Sequence, residues 1–159
     1  MFSWPTAAFA ALLVAQPEAA TDTFAVGSWI VNGGQGDGAQ HVAMTLSSQG
    51  SGVIAFTCSR ERPGVILGLN KARFRAPVGG RTVLRYTAGN ERIETEAAVV
   101  SEETVQLDQD ITRDLLARTR DGTVLTFSLP MVDGDDIELV FRPVESTKAL
   151  AALKAACGI

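Results

Sequence analysis

The stretch RTVLRYTAGNERIETE, residues 81–96, decides how this chain folds. Leu84 and Tyr86 alternate with Val83 and Arg85, the period of two that marks a half-buried strand. Gly89-Asn90 supplies a two-residue hairpin turn. Closing the hairpin there sets Arg85 opposite Glu94 and Val83 opposite Glu96, with Arg81 diagonal to Glu96. Leu84, Tyr86 and Ile93 then share the other face. Opposite charges meet on one side and apolar side chains gather on the other, as an antiparallel sheet with one buried face requires.

The same period extends outward in both directions. Phe24 to Asn32 reads as a first strand around Trp29. Val42, Met44 and Leu46 alternate with His41, Ala43 and Thr45, which places the first set inward and His41 toward solvent. Ile54, Phe56 and Cys58 share one strand face, and Val65 to Leu69 is a short apolar run. Leu125, Phe127 and Leu129, then Ile137, Leu139 and Phe141, complete the series. Turn chemistry separates these runs at Gln49-Gly50, Pro63-Gly64, Gly79-Gly80, Asp121-Gly122 and Asp133-Gly134, with a longer glycine-rich loop at Gly33 to Gly38. The pattern predicts a mainly β fold, an antiparallel sandwich or flattened barrel of about eight strands.

Two stretches break the alternation. Asp110 to Arg120 predicts a short helix: Ile111, Leu115 and Leu116 share a face, Asp110 can cap it, and Asp114 pairs with Arg118 at i,i+4. Ser146 to Cys157 predicts a C-terminal helix with Leu150, Leu153 and Cys157 on one stripe, Ser146 as cap and Gly158 as stop.

Phe2 to Ala15 carries no charged side chain, and small and polar residues follow through Thr21. This layout predicts a signal peptide over residues 1–20, although no Lys or Arg precedes the apolar run. The alternative is a buried or amphipathic N-terminal element. Residues 21–159 are then a single β-rich domain, periplasmic or secreted and not membrane-spanning, since no second apolar run approaches the length of a spanning helix. In an exported chain Cys58 and Cys157 favour a disulfide. Both fall on apolar faces, one on a strand and one on the terminal helix, as a bond from helix to sheet needs. Two free buried thiols are the alternative. Their spacing is far from Cys-x-x-Cys, so a redox role does not follow.

The segment Phe141 to Cys157 ends a strand in Phe, connects briefly, and closes an Ala/Leu-rich helix in Ala-Ala-Cys-Gly. With the order of signal, Trp strand, Cys strand, charged hairpin and terminal Cys helix, it resembles the type VI secretion-associated group of small periplasmic proteins. More distantly it resembles the invasion-associated locus B family, from which it departs in having no Cys after Trp29. The resemblance implies an exported β-rich domain and transfers no catalytic residue.

Chemistry-bearing clusters are sparse. No Gly-x-Ser-x-Gly elbow occurs, and His41 is the single histidine. One His and two paired cysteines do not suit a zinc site, and Asp133, Asp135 and Asp136 lack the spacing of an EF-hand loop, so no metal or cofactor is expected. Charge is more informative. The net charge of −4 argues against general nucleic-acid binding. Six basic residues and no acid lie between Arg62 and Tyr86, and seven acids against one Arg lie from Glu91 to Asp110. Arg81 and Arg85 find partners across the hairpin. Arg73 and Arg75 share a face opposite Phe74 without an evident partner, which makes them the candidate binding surface for an unknown protein or an anionic envelope polymer. The expected function is therefore an exported envelope accessory or binding protein without catalytic activity. A small periplasmic hydrolase or ligand carrier, marked by a deep pocket near His41 or Asp133, is one alternative, and an inhibitor of an extracellular hydrolase is another.

Overall fold

The computed structural model describes residues 22–34, 39–70 and 73–159. The expected signal peptide, and residues 35–38 of the glycine-rich loop, lie outside the described residues. Among the described residues, ten strands and two helices follow one another. They are β1 (Asp22–Val26), β2 (Trp29–Gly33), β3 (Gln40–Leu46), β4 (Gly52–Ser59), β5 (Arg62–Leu69), β6 (Arg81–Ala88), β7 (Glu91–Ser101), β8 (Thr104–Leu107), α1 (Gln109–Arg118), β9 (Leu125–Pro130), β10 (Asp136–Phe141) and α2 (Ser146–Cys157).

All ten strands join one antiparallel sheet in the order β1-β2-β3-β4-β5-β8-β7-β6-β9-β10. The fold is mainly β, with a C-terminal helix. The count exceeds eight for two local reasons. Gly27, at φ +57°, breaks the expected first strand into β1 and β2. The four-residue β8 was too short to carry a period. The sheet is not closed by hydrogen bonds, but it curls. The Ser48 amide in the β3–β4 turn donates to Val140 O of β10 at 2.7 Å. A Cβ on Gly52 would stand 2.8 Å from Leu139 Cδ2, so glycine permits the approach.

The inward face of the curl is the core. Trp29 and Phe56 stack at a tilt, 5.8 Å between centroids, and Phe127 meets both Tyr86 and Phe141 at 5.9 Å. Both helices lie on this inner side. In α1, Leu115 and Leu116 are fully buried. In α2, Ala149, Leu150 and Leu153 pack toward β1–β4, and Cys157 is bonded to Cys58 on β4, with Cα atoms 5.9 Å apart.

The predicted hairpin has its predicted register: Arg85 faces Glu94, Val83 faces Glu96 and Tyr86 faces Ile93. Three other expectations are corrected. The β4–β5 turn is not Pro63-Gly64, which lie inside β5. It is Arg60-Glu61, both at positive φ (50° and 61°). Ser146 is the first residue of α2 rather than its cap. Its hydroxyl accepts from Trp29 Nε1 at 3.1 Å, while Glu145 takes the cap position in the left-handed conformation. In α1, Asp108 stands at the cap position where Asp110 was expected.

A fourth correction is the largest. The faces of β3 are inverted relative to expectation. Ala43 and Thr45 are buried at 0% and 5%, while Met44 and Leu46 are 36% and 67% exposed. Register forces this, because Ala43 and Thr45 stand opposite the inward Phe56 and Ile54. Small Ala43 leaves room for α2, and Thr45 satisfies its hydroxyl by donating to Ser28 O at 2.9 Å. His41 therefore lies on the inner face, opposite Cys58 and half-buried.

Candidate functional site

The β4–β5 hairpin builds a polar concavity. Its two-residue turn holds Arg60 and Glu61 in the left-handed region, where an L-residue costs roughly 1–2 kcal/mol. Two contacts from α1 stabilise it. Arg113 Nη2 donates to Glu61 O at 3.1 Å, and Gln109 Nε2 donates to Pro63 O at 2.7 Å.

Beside this turn, on the outer face, lies a groove of about 610 Å³. Arg60 and Arg62 line it together with Thr57, Ser59, Gln106 and Gln109, over a floor of Pro63 and Gly64. Gly64 matters for space, since its Cβ would fall 2.5 Å from Thr57 Oγ1. No carboxylate lines the groove. Among the described residues, neither Arg60 nor Arg62 has an acid within ion-pair distance, whereas Arg73, Arg81, Arg85 and Arg118 all do. Two guanidinium groups and two hydroxyls on the hairpin, with the amides of Gln106 from β8 and Gln109 from α1, suit a ligand rich in acceptor oxygens and negative charge. The set contains no positioned base or nucleophile pair.

Arg73 and Arg75 sit elsewhere. Phe74 is buried and bridges to Met131, so both arginines project outward, as the alternation predicts. Each does have a partner. Arg73 Nε lies 3.6 Å from Glu102 Oε2, both side chains largely exposed, and Arg75 Nη2 donates to Gly134 O at 2.9 Å. Arg81 bridges Glu96 and Asp108, and Arg85 bridges Glu94 and Asp136, so these basic residues serve the sheet surface. Hydrogen bonds and carboxylates hold the Arg81 and Arg85 guanidinium groups above their ordinary range.

The other titratable cluster joins Tyr86, Asp114, Arg118 and Glu91. The Tyr86 hydroxyl donates to Asp114 Oδ2 at 3.5 Å, and Arg118 Nε donates to the same carboxylate at 2.9 Å while its Nη1 reaches Glu91. Burial first, and the Asp114 charge second, push the phenol up to about 12. It stays neutral and ties α1 to the core. His41 and Asp133 do not line the groove. Among the described residues, no group of three or more His, Cys, Asp or Glu is placed to hold a metal ion, and no helix is long and apolar enough to cross a membrane.

Arg60 and Arg62 escaped sequence reasoning because Pro63-Gly64 carries the stronger turn chemistry. The available signal was Ser-Arg-Glu-Arg between two alternating apolar runs, residues 59–62. Comparison with protein-family models, curated proteins and solved structures finds no match to this chain.

Proposed function

We propose that this chain is an exported cell-envelope binding protein, without catalytic activity, that recognises an anionic polymer or the anionic surface of a protein. Residues 1–20 act as the export signal, and 21–159 are the periplasmic or secreted domain. The observation that carries the reading is the groove of Arg60 and Arg62, which offers only donors, hydroxyls and amides to a ligand. A disulfide joining sheet to terminal helix supports an oxidising compartment. So does the resemblance of Phe141–Cys157 to small periplasmic proteins of the type VI secretion-associated group. We read the curled sheet as a flattened barrel, left open between β1 and β10, with α2 packed inside it against β1–β4. Arg73 and Arg75 are a secondary basic surface, already engaged by Glu102 and Gly134 O.

Capture from the native envelope tests the proposal. Wild-type protein should retain an anionic component that the double variant Arg60→Ser, Arg62→Ser does not, while Arg73→Ser, Arg75→Ser retains most of it. Equal capture by all three, or turnover of a hydrolase substrate by the wild type, would overturn the proposal.

A further inference from the structure

The inversion of β3 leaves an unusual outer surface. Strand register aligns its side chains in rows across β2 to β5. One row holds Ile30, Met44, Ala55 and Ile66, and the next holds Leu46, Val53 and Gly68. Ile30, Met44 and Leu46 are 53%, 36% and 67% exposed. With Val53 they line a shallow apolar groove of about 340 Å³. Both helices pack on the opposite, inner side, so no element of the described fold covers these rows.

The same face changes character along the strands. After the apolar rows come Val42, Thr57 and Gly64, and then Gln40, Ser59 and Arg62, with Arg60 at the turn. From Val53 to Ser59 is six residues, about 20 Å of strand. The face is thus apolar over one half and basic at one end. Among the described residues, Glu61 stands in the Arg60 turn, and Glu103 lines the opposite end of the face with Leu46, Val53 and Gly68. Soluble domains rarely leave a contiguous apolar surface without a partner for it. Guanidinium groups bordering such a surface match the order of a bilayer interface, where phosphates lie beside acyl chains.

We propose that the outer face of β2–β5 docks on an anionic lipid surface, with Arg60 and Arg62 on headgroup phosphates and Ile30, Met44 and Leu46 against the acyl boundary. The inference rests on the reading of the Arg60–Arg62 groove as an anion site and names its partner. It gives the groove and the apolar rows one shared role. Free polyanions use only the basic end, whereas a membrane uses both.

The test is co-sedimentation of the disulfide-bonded full chain with vesicles of phosphatidylglycerol and phosphatidylcholine, and with phosphatidylcholine alone. Soluble polyphosphate serves as the lipid-free anion. All variants carry the same N-terminus, so binding by that segment is common to them. Wild type should prefer the anionic vesicles. Arg60→Ser, Arg62→Ser should bind them about 30-fold more weakly, the worth of two basic groups at an anionic surface. Ile30→Ser, Leu46→Ser should weaken vesicle binding at least about fivefold while leaving polyphosphate binding unchanged. Unchanged vesicle binding by this apolar variant, with polyphosphate binding intact, would overturn the lipid proposal and leave the anion-site reading standing. Failure of wild type to bind polyphosphate or vesicles would overturn both. Conversion of a wild-type dimer to a monomer by Ile30→Ser, Leu46→Ser would assign the face to a second copy of the chain and overturn the lipid proposal.

Discussion

Replacing Cys157 by Ala removes the bond that ties the end of α2 to β4. The bond closes a separation of 99 residues, most of the described chain. In the chain-entropy treatment a loop near 100 residues restricts the unfolded state by roughly 4.7 kcal/mol. Packing moderates the loss. Leu150 and Leu153 remain buried and Trp29 still donates to Ser146, so α2 keeps its seat. The expected cost is about 3–5 kcal/mol, or roughly 10–15 °C in melting temperature for a domain of this size. The assay is thermal and urea unfolding followed by Trp29 fluorescence, with and without reductant. Reductant should lower the wild-type midpoint to that of Cys157→Ala and leave the variant unmoved. A variant that melts with the oxidised wild type would refute the view that the bond constrains the unfolded chain.

Three further outcomes follow from named contacts. Tyr86 has its phenol raised to about 12 in the fold, against 10 unfolded, so its contribution is complete below pH 10 and is lost as pH climbs toward 12. Urea titrations at pH 9 and pH 12 should show wild type losing more than Tyr86→Phe, by on the order of 1 kcal/mol once solvent screening at the partly buried hydroxyl is allowed for; parallel losses would sink that assignment. On β3, Leu46→Ser should stay within about 0.5 kcal/mol of wild type, whereas Ala43→Leu should cost about 1–3 kcal/mol by overpacking against α2. The reverse ranking in denaturant midpoints would restore the opposite facing. Glu61→Gly should stabilise the fold by about 1 kcal/mol by relieving a left-handed residue, read as a higher urea midpoint with an unchanged m-value; a lower midpoint would contradict the turn geometry.

How far the sequence disclosed this molecule depended on whether a signal was local. The Gly89-Asn90 hairpin was legible because turn, charge pairing and apolar face all agreed at short range. The helix over Ser146–Cys157 and its link to Cys58 were legible because stripe and strand parity each pointed inward. Strand β3 was not. Its more apolar side faces outward, since its inner side must fit under a helix more than a hundred residues away, and Ala43 and Thr45 fit where Met44 and Leu46 do not. Trp29 and Ser146 illustrate the same limit. A hydroxyl that looks like a cap is committed to an indole across the core. The Arg60–Arg62 groove was hidden by Pro63-Gly64, whose turn chemistry is outweighed by pairing of β5 along its length with β4.

The central claim is that Arg60 and Arg62 form an anion-recognition site. Calorimetric titration of wild type, Arg60→Ser, Arg62→Ser and Arg73→Ser, Arg75→Ser with polyphosphate at two ionic strengths tests it most directly. The account predicts wild-type binding that weakens as salt rises, loss of that binding in the Arg60, Arg62 variant, and near wild-type affinity in the Arg73, Arg75 variant. Full affinity in the Arg60, Arg62 variant, or its loss only when Arg73 and Arg75 are changed, would contradict it.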